Sequence, residues 1–234
     1  MVTTRPLVGI DHKIRWDDLE WLYHWWIEGQ EILPATIIPS WHHIQGVAAR
    51  KKAATIMTRI WNQPYWQDES HHETLKKTLK NQRLVGYWGL FVTAYPFFRD
   101  TAATIGRFLT LSDHFTTRQV YDRLAAQYGD TERIKVAVRM ILGSLTEWQV
   151  LTRVKRGEYR LGITPVVVKE RTSLAFVMHA SLYALAQEWM AMDGLIYLPW
   201  WFPFRIQPYR AAFQESGFLV ELSGDDHFMV GQMG

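Results

Sequence analysis

The stretch from Phe115 to Gly162 constrains the fold more than any other part of this 234-residue chain. Apolar residues recur at helical spacing up to Gly129, and they do so again from there to Trp148. Beyond Trp148 they form two short runs separated by a basic turn. This order predicts a helix, a tight turn, a second helix and a β-hairpin with a positively charged tip.

Residues that favour helix ends delimit the two helices. Thr116 or Thr117 can cap the first helix, because a hydroxyl accepts a hydrogen bond from a free backbone N–H group of the first turn. Gly129 is placed to end that helix in a left-handed conformation, and Asp130 or Thr131 can cap the next one. The predicted buried faces are Val120, Leu124 and Tyr128 on the first helix and Ile134, Val138, Ile141, Leu142, Leu145 and Trp148 on the second.

Basic residues lie on both helices and on the hairpin that follows them. Residues 150–154 predict the first strand, residues 155–158 the turn and residues 159–161 the returning strand. Like Ser144, the cations of the second helix fall largely off its apolar stripe and are expected at the surface. The candidate cations are Arg118, Arg133, Lys135 and Arg139 on the helices and Arg153, Lys155, Arg156 and Arg160 on the hairpin.

The positive charge of the chain is concentrated in this stretch. Residues 115–162 contain nine Lys and Arg and five Asp and Glu, a local excess of +4, whereas the whole chain carries +3. The rest of the chain is therefore close to neutral. Contact with phosphates requires a local basic surface of this kind, since neutralised phosphates release counterions. The alternative interpretations are a solvated helix face and a platform that docks protein.

Residues 115–162 resemble the winged helix-turn-helix superfamily. The likeness lies in the helix pair joined at Tyr128-Gly129-Asp130, in the leucine-rich second helix that ends in Trp148, and in the hairpin with Lys155-Arg156-Gly157 at its tip. The family mostly binds DNA, so the resemblance implies double-stranded DNA as a partner.

The resemblance also implies a role for each basic element. The second helix would enter the major groove, and the hairpin, or wing, would contact the backbone or the minor groove. Because the second helix is poor in Asn, Gln and Ser, contacts with the backbone or with DNA shape are expected more than base reading. The residues matched to these roles are Arg133, Lys135 and Arg139 in the groove and Lys155 and Arg156 on the wing.

A second basic element lies in the N-terminal half. A helix is predicted over residues 41–61, and it carries Arg50, Lys51 and Lys52 on adjacent positions. These cations either contact DNA in a second helix-turn-helix, with the helix at residues 16–28 as its support, or form a solvated face.

The segment AARKKAATIMTRIW within this helix carries a further resemblance. In architecture and composition the chain is similar to small helical accessory proteins of bacterial phage-defence loci of the BREX type. These proteins combine an Ala/Arg-rich helix with a helical bundle and winged-helix features. The similarity implies a DNA-binding accessory role in a larger complex.

The predicted fold is mainly α, a helical bundle with an embedded winged helix-turn-helix and a small C-terminal β-hairpin. Three segments are predicted: an N-terminal helical domain at 1–98, the winged helix-turn-helix at 99–163, and a C-terminal helix and hairpin at 164–234. The other helices are predicted at 16–28, from 70 or 73 to 95 with a break at Pro96, and at 101–111, 174–192 and 208–215. The terminal strands are predicted at 218–222 and 227–230.

Composition excludes several classes of protein. The chain contains no cysteine, which excludes disulfides, thiolate metal sites and a cysteine nucleophile, and which fits a reducing cytoplasm. The N-terminal residues lack the continuous apolar run of a secretory signal. The longest apolar stretch, at residues 84–98, is interrupted by Gly86, Gly89, Thr93 and Pro96, so it predicts a buried helix and no membrane contact. A cytoplasmic location is expected.

Motifs for catalysis or cofactor binding are absent from the sequence. The pairs His42-His43 and His71-His72 lack the spacing of metal ligands. Asp225-Asp226-His227 falls in the predicted hairpin turn, where Asp is favoured for backbone reasons. No glycine-rich phosphate loop and no nucleophile elbow is present. We therefore expect no catalysis, no metal, no cofactor and no small-molecule substrate.

Two functions from different classes follow. The first is a non-enzymatic protein that binds double-stranded DNA and acts as a regulator or as an accessory subunit of a larger complex. The second is a helical adaptor that binds protein partners through aromatic surfaces, because the chain has 12 Trp, 10 Tyr and 11 Phe. The Trp-rich candidates for such a surface are Trp21, Trp25 and Trp26 near one end and Pro199, Trp200 and Trp201 near the other.

Overall fold

The secondary structure is mainly helical, as the sequence predicts, in a computed structural model that describes residues 8–41, 43–224 and 227–232. The α-helices are α1 (Trp16–Ile27), α2 (Pro34–Ile37), α3 (Val47–Trp61), α4 (Glu69–Asn81), α5 (Arg83–Ala94), α6 (Pro96–Leu111), α7 (Thr117–Tyr128), α8 (Glu132–Glu147), α9 (Arg171–Leu185) and α10 (Arg210–Gln214). Short 3-10 helices lie at Ile38–Ser40, Pro64–Gln67, Met192–Tyr197 and Pro199–Trp201.

The strands form small sheets beside the helices. They are β1 (His114–Thr116), β2 (Leu151–Lys155), β3 (Glu158–Leu161), β4 (Val166–Val168), β5 (Trp189–Ala191), β6 (Phe204–Ile206), β7 (Phe218–Ser223) and β8 (His227–Gln232). One antiparallel sheet has the order β1-β3-β2 and another has the order β5-β8-β7, while β4 and β6 form a parallel pair.

The N-terminal helices differ from the prediction at their ends. Helix α3 begins at Val47 rather than at Trp41, because Trp41 is buried in the preceding turn. The third helical region is divided at Gln82, whose non-helical backbone (φ −141°, ψ 75°) ends α4 before α5 starts. Pro96 begins α6, a position where its missing N–H group is not needed.

The C-terminal third is also more divided than predicted. The helix expected to reach Met192 ends at Leu185, because Ala186 adopts a left-handed conformation (φ +52°). The chain then forms β5, which pairs with β8 and turns the predicted hairpin into a three-stranded sheet. Strands β1, β4 and β6 are not predicted from the sequence. Asp225 and Asp226, in the predicted hairpin turn, lie outside the described residues.

Helices α4, α5 and α9 pack against one another, and glycines of α5 allow the close approach. A Cβ atom on Gly86 would lie 2.5 Å from the side chain of Leu79, and one on Gly89 would lie 2.4 Å from the ring of Phe176. The buried apolar residues form one continuous cluster that includes members from every predicted segment. The boundary predicted between residues 98 and 99 falls inside α6, and the division into three segments stays a prediction.

The expectation of an aromatic surface at Pro199–Trp201 is wrong. Trp200 is 8% exposed and Trp201 is 2% exposed. The Trp88 indole donates to the carbonyl of Trp200 at 2.8 Å, and the Trp201 indole donates to the hydroxyl of Ser181 at 3.0 Å. These tryptophans therefore fix the Pro199–Trp201 turn to α5 and α9. Trp21, Trp25 and Trp26 are half-buried.

No helix within the described ranges combines the length and the apolar character needed to cross a membrane.

A buried polar cluster joins four elements around His179 of α9. The Nδ1 atom of His179 lies 3.1 Å from the hydroxyl of Tyr65 and 3.2 Å from Nε2 of Gln232. Its ring lies 4.4 Å from the rings of His71 and Phe218. Burial lowers the pKa of His179 to about 3, and the neighbouring His71 acts in the same direction. The imidazole is therefore neutral at neutral pH.

A test of close packing compares two helical glycines. A Cβ atom on Gly106 of α6 would lie 2.1 Å from the carbonyl oxygen of Pro199, which is backbone and cannot move aside cheaply. We expect Gly106→Ala to lower the free energy of unfolding by about 1–3 kcal/mol. Gly143→Ala, on α8, meets only Lys13 at 3.4 Å, and it should be neutral or stabilise by up to about 1 kcal/mol. Urea denaturation of both variants decides; equal effects would contradict this account of the α6 packing.

A second test follows from the lowered pKa of His179. The unfolded state takes up a proton near pH 6.5 and the folded state only near pH 3, so stability is present above pH 6.5 and is lost as the pH falls. Between pH 7 and pH 5 the imidazole should reduce the free energy of unfolding by about 2 kcal/mol. Urea denaturation at both pH values should show a smaller loss for His179→Leu than for wild type. An identical loss in the two proteins would contradict the assignment.

Candidate nucleic-acid interface

The chain from α6 to β3 forms one unit of three helices and a three-stranded sheet, which we call the hairpin unit. Strand β3 lies in the middle and pairs with β1 on one side and β2 on the other. The hairpin turns at Arg156-Gly157, where Gly157 has φ +76°. The backbone N–H of Thr117 donates to the carbonyl of Gly157 at 2.8 Å. The start of α7 therefore holds the tip of the hairpin.

The predicted helix ends are present, and the structure shows which of the two candidate residues caps each helix. Thr116 caps α7: its hydroxyl accepts from the N–H of Gln119 at 3.2 Å, and the Gln119 side chain accepts in return from the Thr116 N–H at 2.7 Å. Gly129 ends α7 with φ +95° and an extended ψ, so the positive φ is confirmed but the left-handed helical conformation is not. Thr131 caps α8.

The predicted apolar stripes of α7 and α8 are buried except for Tyr128, which is half-buried. The prediction for Ser144 was wrong. This residue is 2% exposed, and its hydroxyl accepts a hydrogen bond from the backbone N–H of Ile14 at 2.8 Å. The sequence pattern did not reveal this contact because the partner lies 130 positions away.

An N-terminal segment, Lys13–Trp16, covers the last turns of α8. The indole of Trp148 donates to the carbonyl of Ile14 at 3.0 Å, and the N–H of Trp16 donates to the carboxylate of Glu147 at 3.1 Å. The Lys13 side chain lies over Gly143. Only the first half of α8, from Glu132 to about Arg139, therefore presents its outer face to solvent.

Four of the predicted DNA-binding cations form ion pairs within the unit. Arg118 lies 2.7 Å from Asp122, Lys135 lies 3.7 Å from Asp130, Arg139 lies 3.1 Å from Glu132, and Lys155 lies 2.9 Å from Glu158. All four cations are exposed. Exposed pairs of this kind contribute little to stability, and the neighbouring carboxylate offsets the charge of each of these cations.

Lys135 is the most constrained of these cations. The hydroxyl of Tyr121 donates to Asp130, and this hydrogen bond lowers the pKa of the Asp130 carboxyl. The same bond raises the pKa of Tyr121 to about 12. Asp130 therefore stays ionised and attracts Lys135, which also lies 5.4 Å from the ring of Tyr121.

Four other predicted cations form no ion pair with a described residue. Within the described ranges they have no carboxylate oxygen within 4.0 Å, and all are exposed; they are Arg133 at the start of α8 and Arg153, Arg156 and Arg160 on the hairpin. Arg160 lies opposite His114 and Thr152 in the sheet, on one face, while Arg153 lies opposite Tyr159 on the other. We call Arg153, Arg156 and Arg160 the hairpin arginines.

The second basic element is arranged differently. Lys51 and Lys52 of α3 are exposed, Arg50 is half-buried, and Lys52 pairs with Asp11 at 3.0 Å. Residues 28–46, which include α2, separate α1 from α3. The two helices are therefore not joined by the turn of three or four residues that defines a helix-turn-helix, and contact of α3 with DNA stays a prediction.

The described histidines of the two pairs contact side chains from other parts of the chain. Among the described residues no three His, Cys, Asp or Glu side chains lie close enough to hold a metal ion. His71 contacts the buried cluster around His179, His72 packs on Trp26, and His43 lies 2.8 Å from the buried carboxylate of Asp18. His42 lies outside the described residues.

Comparison with known proteins gives no relative for this chain. No protein-family model, no curated protein and no solved structure matches it. The role of each cation is therefore inferred below from contacts, exposure and charge.

The covering of α8 by the N-terminal segment can be tested at Ser144. Ser144→Ala removes the acceptor of the Ile14 N–H and leaves that donor buried, which should lower the free energy of unfolding by about 1–3 kcal/mol. Thr146→Ala is the control, because the Thr146 hydroxyl bonds only to the carbonyl of Leu142 one turn back. Hydrogen exchange at Ile14 should accelerate in Ser144→Ala alone. Unchanged exchange would contradict the contact.

Proposed function

We propose that this protein binds double-stranded DNA through the hairpin β2–β3 and the exposed start of α8. The observation that carries the proposal is the set of hairpin arginines. Three guanidinium groups extend from one short hairpin, all exposed and none with a carboxylate within 4.0 Å among the described residues. Guanidinium groups form paired hydrogen bonds with phosphate oxygens, and such a cluster favours a polyanion as partner.

The arrangement of elements supports the resemblance to the winged helix-turn-helix superfamily. Helices α7 and α8 are joined by residues 129–131, and the strand order β1-β3-β2 places the hairpin beside them. With α8 directed at the major groove, the hairpin would lie along the adjacent backbone. Arg133 at the start of α8 and Arg156 at the hairpin tip would then face the same duplex, and Arg153 and Arg160, on opposite faces of the sheet, would contact phosphates on either side of the hairpin.

The outer face of α8 favours backbone contact over base reading. Beside Arg133 and Lys135, its exposed first half presents the pair Glu132–Arg139 and the half-buried Val136. None of these side chains carries an amide, which reads adenine, or a hydroxyl, which bonds to several bases. Because Glu132 and Arg139 cancel each other's charge, contacts between the other cations and phosphates would supply most of the binding energy.

The biological role belongs to the same proposal. A protein that binds DNA without strong sequence preference would serve as the accessory subunit that anchors a larger complex to DNA. The alternative role is that of a regulator, based on the same DNA binding. The link to phage-defence complexes stays an implication of the resemblance in composition.

Binding to duplex DNA tests the proposal directly. Wild type should bind a fluorescent duplex at low salt, and affinity should fall steeply as salt rises. The triple variant Arg153→Ala/Arg156→Ala/Arg160→Ala should weaken binding by about tenfold or more. It should also reduce the salt slope by about 1 for each phosphate that the variant no longer neutralises.

The control removes the same charge from a paired cation. Arg118→Ala deletes an arginine of the same unit whose guanidinium is held by Asp122, and it should change affinity less than any single hairpin substitution. Circular dichroism establishes that the variants fold. Absence of binding by wild type at low salt, or a triple variant that binds as tightly as wild type, would refute the proposal.

A further inference from the structure

An open apolar groove lies along α6 and the end of β3. None of the cations proposed to contact DNA lines it. It has a volume of about 1170 Å³ and lies between the second half of α6, strands β4 and β6, and the turns at Met192–Tyr197 and Pro199–Trp201. Its floor consists of buried side chains, including Trp201, Phe204 and Ile206. The walls come from sequence segments far apart, which is why no local pattern indicates the groove.

The rim of the groove exposes large apolar side chains to water. Leu111 is 84% exposed and Tyr197 is 79% exposed, and Ile196 and Val167 are also exposed. Single exposed apolar side chains are common on proteins, whereas a cluster of them around a concave surface marks a binding site. A small ligand is normally enclosed by its pocket, in a volume of about 300–1,000 Å³. The width and the exposed rim favour a larger partner that covers both floor and rim.

The charged residues at the groove are all positive. Arg107 and Arg205 are the charged side chains among its lining residues, and neither has a carboxylate oxygen within 4.0 Å in the part of the chain that the structure describes. An apolar surface bounded by unpaired arginines complements a segment that carries both apolar and acidic side chains.

A smaller polar pocket continues the surface on the other side of Arg107. Its volume is about 540 Å³, and it is lined by Arg99, Arg107 and Arg123. Its one carboxylate, Asp100, is already occupied: it pairs with Arg99 at 3.3 Å and accepts from Tyr128 at 2.6 Å. Arg107 and Arg123 therefore converge on this pocket with their charges available.

We propose that the groove and the adjoining arginine pocket bind an acidic amphipathic segment of a partner protein. Its apolar side chains would cover Leu111, Tyr197 and the groove floor, and its carboxylates would pair with Arg107, Arg123 and Arg205. A duplex would match the arginines but would leave the apolar rim in water, whereas a peptide with apolar residues along one face uses both features. The proposal is independent of DNA binding, which involves other residues.

The probe is a random peptide library displayed on phage and selected on the full chain. Selected peptides should combine apolar residues at helical spacing with Asp or Glu. A synthetic peptide of the consensus should bind in solution, and replacing its acidic residues with Lys should abolish binding. No enriched peptide, or enriched peptides without acidic residues, would overturn the inference.

Variants of exposed residues locate the site without disturbing the core. Leu111→Ser/Tyr197→Ser and Arg107→Gln/Arg205→Gln should each weaken the consensus peptide by about tenfold. Leu222→Ser, which removes an apolar side chain exposed on β7, is the control and should bind as wild type does. Duplex affinity should be unchanged in all three. The inference is overturned if the arginine variant weakens DNA and not peptide, or if the chain dimerises through Leu111 and Tyr197.

Discussion

The arrangement of this protein depends on the hydrogen bonds that hold the Lys13–Trp16 segment against the end of α8. Three hydrogen bonds tie the backbone of Ile14 and Trp16 to Ser144, Trp148 and Glu147. They join the N-terminal helices to the hairpin unit across more than half of the chain, and they determine which half of α8 can meet a partner. Without them the outer face of α8 would be exposed along its whole length.

The distribution of charge follows from the same unit. Asp122, Asp130, Glu132 and Glu158 pair with neighbouring cations, whereas Glu147 accepts from the N–H of Trp16. What remains is a group of arginines in two places. Arg133 and the hairpin arginines lie where the proposed duplex would pass, and Arg123 lies with Arg107 on the arginine pocket. The net positive charge that the sequence places in one stretch is thus divided between two surfaces, the hairpin and the arginine pocket beside the apolar groove.

Local signals predicted the helix pair and hairpin well, and distant contacts explain what they missed. Thr116, Thr131 and Gly157 act on backbone groups within a few residues, so their roles could be inferred from sequence. Ser144 and Trp201 are buried by partners far away, and the β4–β6 pair joins residues about forty positions apart. Ion pairing was in part a local signal as well: Asp122 follows Arg118 by four positions on α7, whereas Arg156 has no carboxylate partner among the described residues.

The central claim is that the hairpin and the exposed half of α8 form the surface that contacts DNA. Amide hydrogen exchange, measured on the full chain with and without duplex DNA at low salt, tests it most directly. The account predicts slower exchange on DNA binding at residues 131–139 and 151–161, with little change on α3 and at the covered end of α8. Slower exchange on α3 alone, or no change anywhere at saturating DNA, would contradict it.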